Sequence, residues 1–278
     1  MHAFIMTAYQ RPDIMRKVLS VFSACGPCYI HLDKSAGLDN ELPSLSAIPN
    51  VTAESIYRTN WGSINHLNAL LRGARLMLKN PEVTHVHLMS AQDMPTRTMK
   101  DFKAFFEGND QIYLQNLVTA DYPELVQRYE HFYFMHLFNY KDPSEKNQNF
   151  LGRLDRIQDF FHIKRKLNLP RKGIEFSSMP RDAIEFALSQ KKLLRKIRYT
   201  YIPEEFFFQN AFWDTPFEKR VTGNDVRFTI WDDPTRGAPA FLDLRDLPAI
   251  NASDAVICRK VIDPELISVL EQRWYSET

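Results

Sequence analysis

The chain has 278 residues, 44% of them hydrophobic and 13% aromatic. That is enough for one large globular domain or two closely joined ones, and too apolar for an intrinsically disordered chain. Lys and Arg number 35 against 34 Asp and Glu, a net charge of +1, which excludes a global pull toward nucleic acid and leaves any such preference to local patches. Three cysteines are too few for a disulfide scaffold. No segment offers the roughly 18 uninterrupted apolar residues of a membrane span, and Met1 to Ala8 run into an apolar stretch without a cationic leader. A cytoplasmic protein, or one peripheral to the inner face of a membrane, is expected.

Strand and helix signals alternate through the first half, which predicts an α/β fold with helices on a parallel or mixed sheet. Ala3 to Thr7 reads as a strand, Pro12 to Ser23 as a helix opened by proline, and Tyr29 to Leu32 as a second strand ending at Asp33. Cys25-Gly26-Pro27-Cys28 is the tetrapeptide of thioredoxins, but it follows a helix instead of opening one, so it reads as a Gly-Pro turn flanked by cysteines. Asn65 to Leu78 carries Leu67, Leu70, Leu71, Ala74 and Leu78 at helical spacing. Val83 to Met89 reads as a strand, Met99 to Phe106 as a helix and Ile112 to Val118 as another strand. Ligands of such sheets bind at the carboxyl ends of strands, which makes Asp33 and Asp93 candidates for a cleft, with turn or cap formation as the alternative.

The middle of the chain is aromatic and basic. Tyr129 to Tyr140 is rich in aromatic residues, and Arg153 to Lys172 carries seven basic residues against two acidic ones, interleaved with Phe160, Phe161, Ile163, Leu167 and Leu169. A second basic run spans Lys191 to Arg198. An anionic acceptor, an anionic membrane surface or a solvated helix face would each account for them.

In Tyr201-Ile202-Pro203-Glu204-Glu205-Phe206-Phe207-Phe208, a proline and two carboxylates open a helix that continues into packed aromatics. The acids favour the helix dipole, and a glutamate so held could also serve beside an acceptor hydroxyl.

Six segments, in order, carry a resemblance. They are Tyr29-Ile30-His31-Leu32-Asp33-Lys34, Asn60-Trp61-Gly62-Ser63, His87-Leu88-Met89-Ser90-Ala91-Gln92-Asp93-Met94-Pro95, Pro203-Glu204-Glu205, Arg227-Phe228-Thr229-Ile230-Trp231 and Cys258-Arg259-Lys260-Val261-Ile262-Asp263. Together they resemble the core-2/I-branching family of β-1,6-N-acetylglucosaminyltransferases, which includes the peptide O-xylosyltransferases. The resemblance implies a GT-A type fold over residues 1–278, with a nucleotide-sugar-binding half (1–120) and an acceptor-binding and catalytic half (121–278). It implies a UDP-sugar donor, an oligosaccharide or glycolipid acceptor, and no cofactor or divalent metal. The family dispenses with the Asp-x-Asp metal motif, and this sequence contains no such triplet.

By the same resemblance Glu205 is the general base, with Glu204 its rival, and Lys260 stabilises the leaving UDP. Arg236, one position out of an ungapped match, is the companion cation; Asp33 contacts the uridine, Trp231 lines the acceptor pocket, and Trp61 is structural. Gly173-Ile174-Glu175-Phe176 stands where the family has Gly-Ser-x-Trp, and Ser63 replaces a glycine, so the acceptor or donor-sugar pocket is altered. UDP-N-acetylglucosamine is the first donor expected, with UDP-xylose or another UDP-hexose behind it. A bacterial-type member acting on a surface glycan, at the membrane through 153–172, is one outcome; a nucleotide-sugar or glycan-binding protein without catalysis is the other.

Overall fold

The computed structural model describes residues 1–137 and 145–276. Along the chain come β1 (His2–Ala8), α1 (Pro12–Ser23), β2 (Cys28–Leu32), α2 (Leu42–Ser46), β3 (Val51–Glu54), α3 (Ile64–Met77), β4 (His85–Ser90), β5 (Met94–Pro95) and α4 (Met99–Phe106). Then follow β6 (Ile112–Gln115), β7 (Leu117–Val118), α5 (Gln127–Glu130), α6 (Glu145–Phe160), β8 (Arg171–Lys172), β9 (Ser177–Pro180), α7 (Arg181–Ser189), α8 (Lys191–Lys196) and α9 (Glu204–Phe212). The last elements are β10 (Val221–Gly223), β11 (Arg227–Thr229), α10 (Leu247–Ala252), β12 (Ile257–Arg259) and α11 (Pro264–Tyr275).

A seven-stranded mixed sheet in the order β10-β6-β9-β4-β1-β2-β3 forms the centre. Strands β3, β2, β1 and β4 run parallel, and β9 is antiparallel to both β4 and β6. Side chains alternate between the faces of a strand, and each face is sealed by its own helices. Phe4, Met6, Ile30 and Met89 meet α1, α4 and α11 through Phe22, Phe102 and Trp274. Ala3, Ile5, Tyr29, Val86 and Leu88 meet α3, α7 and α9 through Leu67, Ile184 and Phe206.

This is the mixed α/β architecture that the sequence predicts. The helices over Pro12–Ser23 and Met99–Phe106 fall where expected, and α3 begins and ends one residue before the expected span. The expected strand from Ile112 to Val118 is two strands: β6 stays in the large sheet, whereas β7 leaves it to pair with β8. Of the aromatic stretch, Tyr129 and Tyr133 are buried, and residues 138–140 lie outside the described residues. Cys25 and Cys28 are buried free thiols; burial pushes Cys25 up to about 11 and Cys28 higher still, which disfavours the thiolate of a redox pair. Gly26 is required there by close approach, since a Cβ would sit 2.0 Å from the His2 carbonyl oxygen.

One face holds a histidine stack. His2 Nδ1 lies 3.0 Å from His87 Nε2, and His87 Nδ1 lies 2.9 Å from Ser178 Oγ. Burial, His85, the amino terminus and Lys103 lower His2 to about 3, so between pH 6.5 and 5 the unfolded chain takes up a proton there that the folded chain does not. Stability present above pH 6.5 is therefore lost as the pH falls. Urea denaturation at pH 7 and pH 5 should show a drop to which His2 contributes about 2 kcal/mol, and His2→Phe should shrink the drop by that amount; an unchanged drop would mean that the folded ring is already protonated.

Candidate active site

The strand register brings one set of side chains to the carboxyl edge of the sheet. Thr7 of β1 lies opposite both His31 of β2 and Ser90 of β4, and Ser177, at the start of β9, lies opposite Leu88. The loops leaving this edge carry Asp33 and Asp93, and the loop entering β9 carries Glu175. Helix α9 supplies two further carboxylates. Phe206, Phe207, Phe208 and Phe212 are each at most 1% exposed, and their burial anchors α9 and places Glu204 and Glu205 in its first turn against the body of the protein.

The start of α9 is fixed by backbone geometry. Ile202 precedes it at φ 54, a left-handed conformation unusual for a β-branched residue, and its N–H donates to the Gly62 carbonyl at 3.1 Å. Gly173 donates its N–H to the Glu205 carbonyl at 2.8 Å. A Cβ on Gly173 would lie 2.2 Å from the Gln115 carbonyl oxygen, so only glycine allows that approach.

The two glutamates have different surroundings. Glu204 is 4% exposed. Its Oε1 is 3.1 Å from His66 Nδ1, whose Nε2 is 3.0 Å from Thr7 Oγ1, and its buried Oε2 has no hydrogen-bond partner among the described residues. Burial alone would lower His66, but the hydrogen bond and charge of Glu204 outweigh it and the net shift is upward. Glu205 receives a hydrogen bond from Arg128 Nη1 at 3.1 Å, with about a quarter of its side chain exposed. Burial pushes Glu205 up to about 7 against the pull of Arg128, with Glu175 and Glu204 adding to the rise and Lys172 opposing it. Burial also raises Glu175; His66 and Arg259 oppose that rise and Glu204 reinforces it.

Beside the carboxylates, β12 delivers Arg259 and Lys260. The Arg259 guanidinium lies 3.7 Å over the Phe176 ring, and its Nε is 3.6 Å from Asp93 Oδ1. Asp93 is fully buried and accepts from the backbone and hydroxyl of Ser90. The Val261 N–H donates to the Gln92 carbonyl at 2.7 Å, holding the Lys260 segment against the end of β4.

The sequence-predicted residues fall into two groups. Lys260 lies with its ammonium 5.8 Å from the Phe241 ring centre, and its carbonyl accepts from the Leu242 N–H. The same loop carries Arg236, whose carbonyl accepts from the Phe241 N–H, and Ile230, bonded to Ala240 beside the half-exposed Trp231. Lys260, Arg236 and Trp231 thus share one loop neighbourhood, and Glu205 stands with Glu204 and Glu175 on α9 and the β9 approach. The Arg236 guanidinium is engaged by Asp233 at 2.7 Å, Asp246 at 2.8 Å and Asp243 at 3.7 Å. Asp33 Oδ1 accepts from Ser35 N, Ser35 Oγ and Thr59 N, organising the turn after β2. Trp61 packs edge-on against Tyr201 with ring centres 5.4 Å apart.

Sequence reasoning did not select His66, Arg128, Glu175 or Arg259 as site residues. Glu175 carried a signal, as part of the segment that departs from the family pattern, and Arg259 neighbours Lys260. His66 and Arg128 reach the site from 138 and 77 residues away in sequence and carried none. A cavity of about 690 Å³ between the Thr96–Phe105 stretch and Arg273 is lined by none of these carboxylates. Among the described residues no group of three or more His, Cys, Asp and Glu is placed to hold a metal ion, and no helix is long and apolar enough to cross a membrane.

The seven-stranded mixed sheet flanked by helices is a GT-A type architecture, and the ionisable side chains at its carboxyl edge make that edge the candidate site. The family profile described as Core-2/I-Branching enzyme matches residues 2–251, and the chain belongs to that family, whose members are glycosyltransferases. The match includes Asp33, Glu205, Trp231 and Arg236 and ends before Lys260. No curated protein matches the chain.

The raised carboxyl of Glu205 opposes folding at alkaline pH. Its folded value near 7 lies above the unfolded value near 4.5, so stability falls as pH rises through that interval and stays low above it. Glu205→Gln should therefore be more stable than the wild type at pH 8, by on the order of 2 kcal/mol once its partial exposure and the Arg128 partner are allowed for. The gain should vanish near pH 5 in denaturant titrations; equal stability of the two proteins at pH 8 would contradict the burial of an ionising carboxyl at this position.

Proposed function

We propose that the chain is an inverting, metal-independent glycosyltransferase that takes its sugar from a UDP-sugar, N-acetylglucosamine first and xylose or another hexose behind it. The acceptor is a hydroxyl of an oligosaccharide or glycolipid, in the synthesis of a bacterial-type surface glycan. The observation that carries this reading is the carboxyl of Glu205. It is held on a rigid helix start, reachable from solvent, and tuned to about 7, where a general base combines ionisation with proton affinity. Glu204 is spoken for by His66 and almost fully covered, which favours Glu205 for contact with an acceptor.

In the proposed reaction the acceptor oxygen attacks the anomeric carbon as its proton passes to Glu205. The bond from that carbon to the diphosphate breaks on the opposite side, and its electron pair leaves with UDP. Lys260 meets the charge that develops on the diphosphate, in a setting where fixed cations act more strongly than in water. Arg236 joins it by releasing at least one of its three carboxylate partners when donor binds. Asp33 stands at the uridine side and Trp231 forms an aromatic platform for the acceptor. The unpartnered Oε2 of Glu204 and the raised carboxyl of Glu175 supply an acceptor and a donor for sugar hydroxyls.

The test is transfer in EDTA with a panel of UDP-sugars and glycan acceptors. One donor should support turnover, the product should carry the inverted anomeric configuration by NMR, and kcat/KM should fall below an apparent pKa near 7. Glu205→Gln should lower kcat by about 10²- to 10⁴-fold, with donor binding by thermal shift retained; Lys260→Ala should lose the shift with UDP. Turnover intact in Glu205→Gln, or restored only by manganese after EDTA, would overturn the mechanism.

A further inference from the structure

The C-terminal end of α6 presents an apolar tip that the catalytic site does not use. Ile157, Phe160, Phe161 and Ile163 are 51%, 77%, 65% and 42% exposed, four large apolar side chains within seven residues. Exposed apolar residues scattered singly need no explanation, but a contiguous group marks an interaction surface.

The tip is rigidly built. His162 adopts φ 51, its N–H donates to the Asp159 carbonyl, and the Ile163 N–H donates to the Gln158 carbonyl at 2.8 Å. These are the paired bonds of a Schellman helix stop. Such a stop usually joins the residue after the turn to one a helical turn earlier in an apolar contact. Here the two positions are Ile163 and Ile157, and both remain open to solvent.

The opposite side of the helix end is tied to the body. Gln158 is 3% exposed and exchanges hydrogen bonds with both backbone groups of Phe132. Asp155 and Asp159, the two acids of the segment, face the two ring nitrogens of His131 at 3.0 and 3.1 Å. Glu130 is taken by Lys164.

Seven Lys and Arg against two acids over 153–172 leave the rim of the tip positive. Arg153, Arg156 and Lys166 are exposed around it. Arg165 bonds Thr200 Oγ1 and the Lys196 carbonyl, which fastens the chain leaving the tip to the end of the second basic run. Lys192, Arg195 and Arg198 in that run are exposed as well. Arg165 thus joins the two basic runs where the chain leaves the exposed aromatic pair.

We infer that this surface docks on an anionic phospholipid bilayer, with Phe160 and Phe161 entering the interface and the surrounding Lys and Arg lying over the headgroups. An aromatic tip ringed by cations matches the chemistry of that interface. A second copy of the chain would set one basic ring against another, and a neutral glycan has no use for the ring.

The docking surface is also connected to the site. Arg128, which holds Glu205, and Glu130 and His131, which hold the tip segment, belong to α5 and its cap. The inference stands independently of the donor and mechanism proposed above.

The 278-residue chain sedimented with phosphatidylcholine vesicles, and with vesicles containing about 30% phosphatidylglycerol, tests the inference. Binding to the anionic vesicles should exceed binding to the neutral ones by roughly tenfold and weaken with salt. The double variants Phe160→Ser with Phe161→Ser, and Lys166→Glu with Arg195→Glu, should each lose roughly tenfold in binding at an unchanged melting temperature. Equal or absent binding to both vesicles would overturn the inference. So would binding that survives the double Phe variant, or a dimer in sedimentation velocity that this variant dissolves without any vesicle binding.

Discussion

The site depends on holding three carboxyl groups together where burial leaves them little water. Glu175, Glu204 and Glu205 gather at one edge of the sheet, where an isolated buried carboxylate would be costly and would rather neutralise. The packing of α9 holds Glu204 and Glu205 there: its phenylalanines are buried, and its start is pinned by Ile202 on Gly62 and by Gly173 on the Glu205 carbonyl. Counter-charges are supplied unevenly. His66 meets Glu204, Arg128 meets Glu205, and Arg259 stands near Glu175 but is shared with Asp93 and the Phe176 ring. Burial drives Glu175 and Glu205 upward, and the nearby cations only partly oppose it.

The sheet explains why these groups converge. Parallel β1, β2 and β4 all end on one edge, and the register sets Thr7, His31 and Ser90 in a line. Because β9 runs antiparallel, its beginning lies on the edge where its neighbours finish, so the loop with Glu175 enters the cleft instead of leaving from the far side. A parallel strand in that place would carry Glu175 to the opposite end of the sheet. Arg227 ties this junction together by donating to the carbonyls of both Leu88 and Ser177.

What the sequence reveals and hides follows from the range of each interaction. Alternation and helical spacing are local, so β1, α1, α3 and α4 could be read from residues a few positions apart. The acidic start of α9 could be read because Pro203, Glu204, Glu205 and the phenylalanines are adjacent. The partners of those glutamates could not, because His66 and Arg128 arrive by folding, with nothing nearby in sequence to mark either as part of a site. Arg236 shows the converse: its charge could be read at once, whereas Asp233, Asp243 and Asp246 around it depend on how the 230–246 loop closes. The split of Ile112 to Val118 has the same origin, since only the position of β8 decides that Leu117 and Val118 leave the main sheet.

The two cations expected at the diphosphate also differ in what donor binding must overcome. The guanidinium of Arg236 already sits among three carboxylates, two of them within hydrogen-bond distance, so an incoming phosphate competes with bonds that are charge-assisted and short. Asp246 is also tied to the backbone, accepting from the Asp243 N–H at 2.9 Å, and cannot withdraw without opening the turn before α10. Lys260 has a different setting. The backbone on either side of it is held by Leu242 and Gln92, which fixes where the side chain starts. A point charge on a flexible stem tolerates variation in phosphate position better than a planar fork does. In the proposed mechanism the lysine would therefore meet the leaving group, and the arginine, which closes its own loop, would join only when that loop rearranges.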